Sequence, residues 1–524
     1  MKKLILTEKA KIFFFISLIL FLFISILAQF YGGFTVDEPA QYLRAKNWFQ
    51  NYYLEKLVYQ NSNLPKDYIR HTDTYGLFTQ TISLWITYIV KYLILLFGLD
   101  VKLKIIFHYS LHSTSIFFGL LTLIVFFNYL IILDIEKKYA YLAVSIFAFS
   151  PVWIGHAFFN YMDLNLAFFF LSSSYFLTKI NFNKKLKKKY IYLFLLSIVG
   201  IGVTRPQILP IFMLLGFSSI MLKKISIFEY FRFGSLALVL IYIFTPQAWN
   251  NPFSWLYDVY FLNLGDIWRG CSQTNYECIG KYYSENWNSI KYMYLWLTAK
   301  IPLIILLFLI LFFKKIDKKQ IFTIFVFLIP ILIISIKNLN IYNGLRHYLF
   351  LIPLLYLISL RNFFYIISNN IIRLIFFLIL FISLLIENLS IFPYNYSYLN
   401  FYTRHNLDAS YNSKEKIFPI KFELDYWGYS MKENVKKLER FSDDKKIYVD
   451  FPKYWDPVIL PFGKRLIIKK ENIKNYYYIS PIFGVADGNK IPGDCKLVDT
   501  VNRKYFLGGK TIFLSFVSKC ESKN

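Results

Sequence analysis

Two adjacent carboxylates, Asp37 and Glu38, directly follow the first long apolar run of this sequence. A carboxylate costs about 2.5 to 3.5 kcal/mol at the centre of a membrane span, whereas at the rim an acid group can be kept beside a lipid-borne reactant. Two acids at this depth could supply a general base. The alternative is a helix start, because an acidic residue followed by Pro39 in a first turn complements the helix dipole.

Further polar side chains reach the same boundary from distant parts of the chain. Charges at the ends of apolar runs are unusual unless they face a polar cavity. A guanidinium can hold two phosphate oxygens at once, so Arg205 and Arg346 are predicted to bind a phosphate, with snorkelling at the interface as the alternative for each. The other members of this set are His71, Asp163 and His347.

The elements that must position these residues are membrane helices. The chain has 524 residues, of which 56% are hydrophobic, and apolar runs of the roughly 20 residues needed to cross a bilayer recur from Ile12 to about Phe392. The formal net charge is +27, but the lysines cluster in short gaps between the runs, as they do in cytoplasmic loops. This placement indicates a multi-pass membrane protein and argues against a nucleic-acid partner.

Eleven spans with the N-terminus inside put every lysine cluster on the cytoplasmic side. Residues 1–30 are interpreted as an uncleaved first span, because Ala28-Gln29-Phe30 lacks a small-x-small cleavage pattern. The apolar stretch 77–97 would invert all later clusters if it crossed, so it is predicted to be an interfacial or re-entrant helix. The predicted spans are about 12–30, 105–132, 139–159, 163–179, 190–204, 207–222, 233–247, 296–313, 320–337, 347–360 and 373–392.

Residues 1–392 are thus predicted to form a mainly α transmembrane domain with outer loops 31–104 and 248–295. Residues 393–524 change character and are predicted to form a small extracytoplasmic α/β domain. In it, Ser430 and Glu433 have the spacing of a capping box that opens a helix through about Phe441. The predicted strands are 446–451, 465–469, 476–479 and 510–517.

The four cysteines form two sequence pairs, Cys271 with Cys278 and Cys495 with Cys520, all in segments predicted to lie outside. An extracytoplasmic compartment permits disulfides, and four free thiols are the alternative.

Several short motifs resemble those of the GT-C superfamily of membrane glycosyltransferases. The resemblance lies in their order along the chain and in the side of the membrane on which they are predicted to lie. The likeness is to the branch of protein O-mannosyltransferases and lipid A aminoarabinose transferases, which includes bacterial phospholipid carrier-dependent enzymes. Residue 205 is often lysine in relatives, and the soluble tail differs widely among them. The motifs are Asp37-Glu38, His71 to Gly76, Ser150-Pro151, Asn160 to Asp163, Thr204-Arg205-Pro206, Gly344 to His347, Phe392 to Asn400 and Phe422 to Gly428.

The resemblance implies an inverting transfer of a hexose or pentose from a polyprenyl phosphate to an acceptor hydroxyl on a protein, lipid or glycan. Asp37 would be the general base, and Arg205 and Arg346 would neutralise the leaving phosphate. Glu38, Asp163, His347 and the His71 segment would orient the base, bind the sugar or hold a divalent cation, with simple hydrogen bonding favoured over a metal. The site would face the periplasm from a bacterial inner membrane.

Two other functions use the same lipid-linked substrates. A transporter or flippase of lipid-linked sugars would line a pathway with charges on both sides of the membrane, whereas here they collect at one boundary. A polysaccharide polymerase or ligase would use longer lipid-linked glycans, and the paired acids of the first outer loop argue against it only mildly.

Overall fold

The computed structural model of the chain consists of a helix bundle with a small sheet at its C-terminal end. The described residues are 2–35, 38–53, 76–183, 187–245, 248–249, 251–262, 289–311, 316–337, 344–405, 424–425, 428–452, 459–469, 473–482 and 491–521.

Helices account for the membrane part because a backbone in lipid must satisfy its own hydrogen bonds. The α-helices of the first half are α1 Lys2–Tyr31, α2 Glu38–Tyr53, α3 Phe78–Leu96, α4 Leu103–Ile132, α5 Lys137–Ala148, α6 Pro151–Ala157, α7 Tyr161–Phe182, α8 Lys188–Gly202, α9 Leu209–Met221 and α10 Ile227–Ile243. The later α-helices are α11 Pro252–Tyr257, α12 Ser289–Lys300, α13 Leu303–Ile310, α14 Lys318–Lys337, α15 Ile352–Ile366, α16 Asn370–Ile391, α17 Phe401–His405 and α18 Met431–Phe441. Short 3-10 or π turns are Pro206–Ile208, Asp258–Leu262, Arg346–Leu351, Asn395–Ser397 and Leu460–Phe462.

Within the described residues, six helices are long and apolar enough to cross a membrane, and the pair α5 and α6, bent by 65°, raises this number to seven if it forms one broken span. The chain is therefore a multi-pass membrane protein. The six segments are Thr7–Tyr31, Phe78–Leu96, Leu103–Ile132, Lys318–Ile336, Arg346–Ile366 and Asn370–Ile391.

Five of the predicted spans coincide with helices of this set, and the predicted span 139–159 corresponds to the bent pair. The other five fall on α7 to α10 and on α12 with α13, which are helical but too short or too polar to qualify. The segment α3 qualifies by length and composition, so its predicted interfacial position stays a prediction, as does the number eleven.

The ends of three helices meet on one side of the bundle. Tyr31 at the end of α1 has its ring 5.8 Å from that of Phe392, just after α16. Phe34 stacks on His108 near the start of α4, with 4.1 Å between ring centroids. The side of the bundle marked by these residues is called the common face below.

The C-terminal sheet has the strand order β2-β1-β3-β5-β4. Strand β1 is parallel to β2 and β3, whereas β5 is antiparallel to β3 and β4. Helix α18 buries an apolar stripe, Met431, Val435 and Leu438, in the same core as Ile447 and Val449 of β1. The strands are β1 Ile447–Asp450, β2 Leu466–Ile468, β3 Asn475–Pro481, β4 Cys495–Lys504 and β5 Thr511–Glu521.

The predicted helix through Phe441 is confirmed, but the predicted capping box is wrong. The Ser430 hydroxyl donates to the Asp425 carboxylate instead of capping the helix. Glu433 accepts hydrogen bonds from Arg503 Nη2 at 2.6 Å and from the Tyr394 hydroxyl at 2.9 Å. Tertiary partners therefore replace the local reciprocal bonds that the spacing predicts.

One of the two cysteine pairs forms a disulfide. Cys495 on β4 and Cys520 on β5 are register partners and are covalently joined. Cys271 and Cys278 lie outside the described residues.

The C-terminal part docks on the end of α1. The Lys432 ammonium donates to the carbonyls of Phe30 and Gly32 at 2.6 and 2.9 Å, and the Tyr429 hydroxyl donates to the carbonyl of Ala28 at 2.8 Å. A Cβ at Gly32 would lie 1.7 Å from the Tyr429 ring, so only glycine permits this approach. The sheet and the membrane bundle therefore share one packed interface.

A Gly155→Ala substitution should destabilise the bundle. The added Cβ would lie 2.2 Å from the backbone nitrogen of Tyr396, and two backbones would have to separate. Overpacking of this kind costs about 1 to 3 kcal/mol, which thermal unfolding in detergent would detect as a lowered midpoint. Gly234→Ala is the matched control, since nothing lies within 4 Å of its added Cβ. Equal midpoints for the two variants would contradict the described contact between α6 and the 395–397 turn.

Candidate active site

A buried carboxylate held by two imidazoles lies at the common face. Glu38 opens α2, and its Oε1 accepts a hydrogen bond from the backbone N–H of Thr35 at 3.1 Å. His112 Nε2 lies 2.9 Å from Oε1, and His108 Nδ1 lies 2.8 Å from Oε2. Residues four apart on a helix face the same way, so α4 presents both rings to one carboxylate. All three side chains are buried.

The electrostatics of this group favour an ionised glutamate. Burial raises the pKa of Glu38, but the charge of His112 and the hydrogen bonds of both imidazoles lower it more, to about 2. A carboxylate with several donors holds its negative charge even out of water. Glu38 is therefore a fixed anion at the start of α2, immediately after Asp37 in the chain.

A second cluster joins Asp163, Arg205 and Arg346. Arg205 Nη2 donates to Asp163 Oδ1 at 2.6 Å, and Arg346 Nε lies 3.9 Å from Asp163 Oδ2. The side chain of Asp163 is 4% exposed, and those of Arg205 and Arg346 are 10% and 13% exposed. Three parts of the chain far apart in sequence therefore deliver opposite charges to one buried place.

Local sequence explains how each member of this cluster is placed. Asp163 lies in the first turn of α7, where the Asn160 side chain caps the helix by accepting from the Asp163 N–H at 3.2 Å. Arg205 stands between α8 and the 3-10 turn that starts at Pro206, because a proline disfavours helical geometry in the residue before it. Arg346 opens the 3-10 turn before α15.

A third buried basic side chain, Lys300, lies at the end of α12. Its amino group donates to the carbonyl of Tyr396 at 2.8 Å and lies 5.2 Å from the centroid of the Trp296 ring. Burial lowers the pKa of Lys300 well below its ordinary value, so an anion beside it would favour its charged form. Lys300 and Arg346 are both within electrostatic range of His156, and Arg205 and Arg346 are within that range of His347.

The first turn of α3 connects the two clusters. Gln80 donates to the side chain of Gln41 on α2 at 3.0 Å, one turn after Glu38. Thr79 accepts from the Asn165 amide at 2.6 Å, two residues after Asp163. The Gly76 N–H bonds to the carbonyl of Thr204 at 3.3 Å, beside Arg205. The start of α3 and the residue Gly76 just before it thus contact sequence neighbours of Glu38, Asp163 and Arg205.

Aromatic rings cover the space between the clusters. Tyr429 has its ring 6.5 Å from that of His112 and stacks on Phe159 at 5.3 Å. The ring of Phe159 is 5.8 Å from that of His156, whose Nδ1 is 3.1 Å from the Asn160 amide. A continuous series of contacts therefore runs from Glu38 to Asp163, and the C-terminal segment supplies part of it.

The structure brings together Asp163, Arg205 and Arg346, with His347 beside them, as the prediction of a common boundary requires. Glu38 contacts His108 and His112, and its predicted partnership with His347 is absent from its contacts within the described chain. Asp37 and His71 lie outside the described residues.

Sequence reasoning missed His108, His112, His156 and Lys300. The His108-x-x-x-His112 spacing on an apolar helix was the one available signal for the first two, because it places both rings on one helix face. Lys300 ends an apolar helix alone and carries no comparable pattern.

The described side chains include no group of three or more histidine, cysteine, aspartate or glutamate residues arranged to hold an ion. The oxygens of Glu38 lie against the imidazoles of His108 and His112. Asp37 and His71 lie outside the described residues, so the divalent cation that the sequence leaves open for Glu38 and His347 stays a prediction.

No protein-family model matches the chain, and no curated protein matches it.

Glu38→Gln should remove an acid-sensitive part of the protein's stability. The folded pKa of about 2 lies below the ordinary value of 4.5, so this carboxylate stabilises the fold above pH 4.5 and loses that effect as the pH falls toward 2. The difference between the ordinary and the folded pKa of Glu38 corresponds to about 3 kcal/mol of folding free energy. Thermal unfolding between pH 7 and pH 3 should show a lower midpoint and a flatter acid slope for the variant. Glu8→Gln, an exposed glutamate, is the control, and an unchanged acid slope in Glu38→Gln would disprove the buried ion pair.

Proposed function

We propose that this protein is an inverting glycosyltransferase of GT-C type. It moves a sugar from a polyprenyl-phosphate carrier to an acceptor hydroxyl at the outer face of the membrane. The observation that carries the proposal is the convergence of Arg205 and Arg346 on Asp163 inside an apolar bundle, close to the fixed Glu38. Buried charges in a membrane protein are costly and mark substrate sites.

The cations suit a phosphate on a lipid. Each guanidinium carries five donors in a planar fork, which matches the geometry of phosphate oxygens. Lys300 adds an amino group that contacts a carbonyl and an indole ring, and within the described residues no carboxylate forms an ion pair with it. A phosphate beside Lys300 would favour its charged form against the effect of burial. A phosphate between these groups would supply negative charge where the protein collects positive charge.

The transfer itself needs a base and a stabilised leaving group. The acceptor oxygen bonds to the anomeric carbon as the bond from that carbon to the phosphate oxygen breaks, and the electron pair of that bond leaves with the phosphate. The acceptor proton passes to the Asp37 carboxylate, because an unperturbed aspartate is ionised at neutral pH. Base catalysis contributes about 10² to 10⁴, so Arg205, Arg346 and Lys300 must supply further stabilisation by neutralising the departing phosphate.

Glu38 acts in this scheme by position. Its carboxylate is held by His108, His112 and the Thr35 N–H, so the start of α2, which follows Asp37 in the sequence, is anchored at the common face. Asp163 orients the two arginines through its ion pairs with them, and His347 is a candidate to bind the sugar.

The orientation with the site outside has two supports. The lysine clusters lie in short gaps between the apolar runs, as in cytoplasmic loops of bacterial inner-membrane proteins. The Cys495–Cys520 disulfide belongs to the domain at the common face, and disulfides persist in oxidising compartments such as the periplasm.

Asp37→Asn should lower transfer by about 10² to 10⁴ because the amide cannot accept the acceptor's proton. The assay follows movement of a labelled sugar from a polyprenyl-phosphate donor in membranes, with donor binding measured in parallel. Binding should persist in the variant. Full activity of Asp37→Asn would remove this residue as the base, and loss of binding together with activity would point to a misfolded site.

Lys300→Met should raise the KM for the donor and lower kcat, with kcat/KM reduced by about 10 to 100-fold, as expected for loss of one charge-assisted bond. Lys300→Arg should recover part of the loss, since a charge returns to the same place. Lys437→Met is the control, because that lysine pairs with Asp499 in the C-terminal domain. An activity of Lys300→Met equal to that of the control would show that Lys300 has no part in the phosphate site.

A further inference from the structure

Four apolar side chains are exposed together beside the end of the last membrane helix. Phe401 and Tyr402 on α17 are 54% and 63% exposed, and Phe506 and Leu507 in the β4–β5 turn are 72% and 38% exposed. The turn lies against α17, because a Cβ built on Gly508 would be 3.1 Å from the Phe401 ring. These four residues are called the turn patch.

A buried ion pair fixes the depth of the turn patch along the bundle. Arg404 Nη1 donates to Glu387 Oε2 at 2.6 Å, and both side chains are nearly inaccessible. Glu387 lies in the last turn of α16, which ends at Ile391. Helix α17 is therefore within one side chain's reach of the last turn of a membrane span.

The β4–β5 turn is tied to the same place. The Tyr505 hydroxyl accepts from the Leu399 N–H at 2.8 Å, and the Arg404 guanidinium lies over the Tyr505 ring at 4.2 Å. Gly508 has a φ of +84°, a conformation that glycine adopts without strain. The tip of the hairpin is thus held against α17 and not extended away from the bundle.

The other flank of α17 is the junction between α12 and α13. Asn400 donates from its backbone N–H to the carbonyl of Ala299 at 2.7 Å and from its side chain to that of Ile301 at 2.9 Å. Helix α13, which begins just after this junction, exposes Leu303 at 45%, and helix α16, whose Glu387 pairs with Arg404, exposes Leu389 at 54%. The turn patch thus lies beside helices that expose aliphatic side chains, the kind of surface that membrane helices present to lipid.

We propose that the turn patch inserts into the interfacial region of the leaflet next to the common face. The C-terminal domain would then bind the membrane surface through this patch. The occupant of the patch is lipid. Aromatic side chains with one polar end, such as Tyr402, favour the headgroup boundary, and the exposed Lys504 before the turn suits anionic headgroups. The bilayer would then fix the position of the domain whose Lys432 binds the end of α1 and whose Tyr429 packs near His112.

A photo-crosslinking experiment on the full chain in lipid nanodiscs tests this directly. The photoreactive p-benzoyl-phenylalanine replaces Phe506, a conservative change at an exposed aromatic position, in a bilayer of phosphatidylethanolamine and phosphatidylglycerol. The matched control carries it at Phe441, which is 60% exposed at the far end of α18 in the same domain. Intact-protein mass spectrometry counts the adducts.

Lipid adducts at position 506 should exceed those at position 441 by roughly tenfold, because the interfacial region holds acyl chains within the reagent's reach and the aqueous surface does not. Equal lipid labelling at the two positions overturns the proposal, as does an absence of lipid adducts at position 506. Crosslinks from 506 to a second copy of the chain would also overturn it and would identify the patch as a protein interface. None of these outcomes depends on sugar transfer.

Discussion

The cost of burying charge in a bilayer governs this structure. Arg205 and Asp163 are almost completely inaccessible, and each would be strongly destabilising alone. Their pairing brings the break between α8 and α9 to the N-terminus of α7, and Arg346 brings the segment before α15 to the same carboxylate. The Glu38 group repeats the same solution with imidazoles in place of guanidiniums.

The C-terminal domain belongs to the same construction. Lys432 binds the carbonyls of Phe30 and Gly32 at the end of α1, where helix carbonyls run out of intrahelical donors. Tyr429 adds a second hydrogen bond to the carbonyl of Ala28. Tyr429 then stacks on Phe159 and approaches His112. The C-terminal domain, which the sequence predicts as a separate unit, therefore contributes Tyr429 to the aromatic contacts that link the Glu38 and Asp163 clusters.

The features that the sequence predicts best are those that the bilayer imposes on a short stretch of chain. The long apolar runs predicted the membrane helices because a span needs about 20 apolar residues. Charges at the ends of such runs led to the expectation that Asp163, Arg205 and Arg346 meet, and the structure brings these three side chains together. His108 and His112 were not assigned: their spacing puts both rings on one helix face, but nothing in the sequence identifies Glu38, on another helix, as their partner. Strand β4 was missed because Lys496, Asp499 and Asn502 interrupt its apolar residues, and the capping box at Ser430 failed because tertiary partners claim both side chains.

We propose that Arg205, Arg346 and Lys300 form a site for a lipid-borne phosphate. Isothermal titration calorimetry of the purified protein with a short-chain isoprenyl monophosphate, and with the corresponding neutral isoprenyl alcohol, measures this without any transfer step. The account predicts saturable binding of the phosphate that weakens with salt and is lost in Arg346→Met, with no comparable binding of the alcohol. Equal binding of phosphate and alcohol, or unchanged phosphate binding in Arg346→Met, would contradict it.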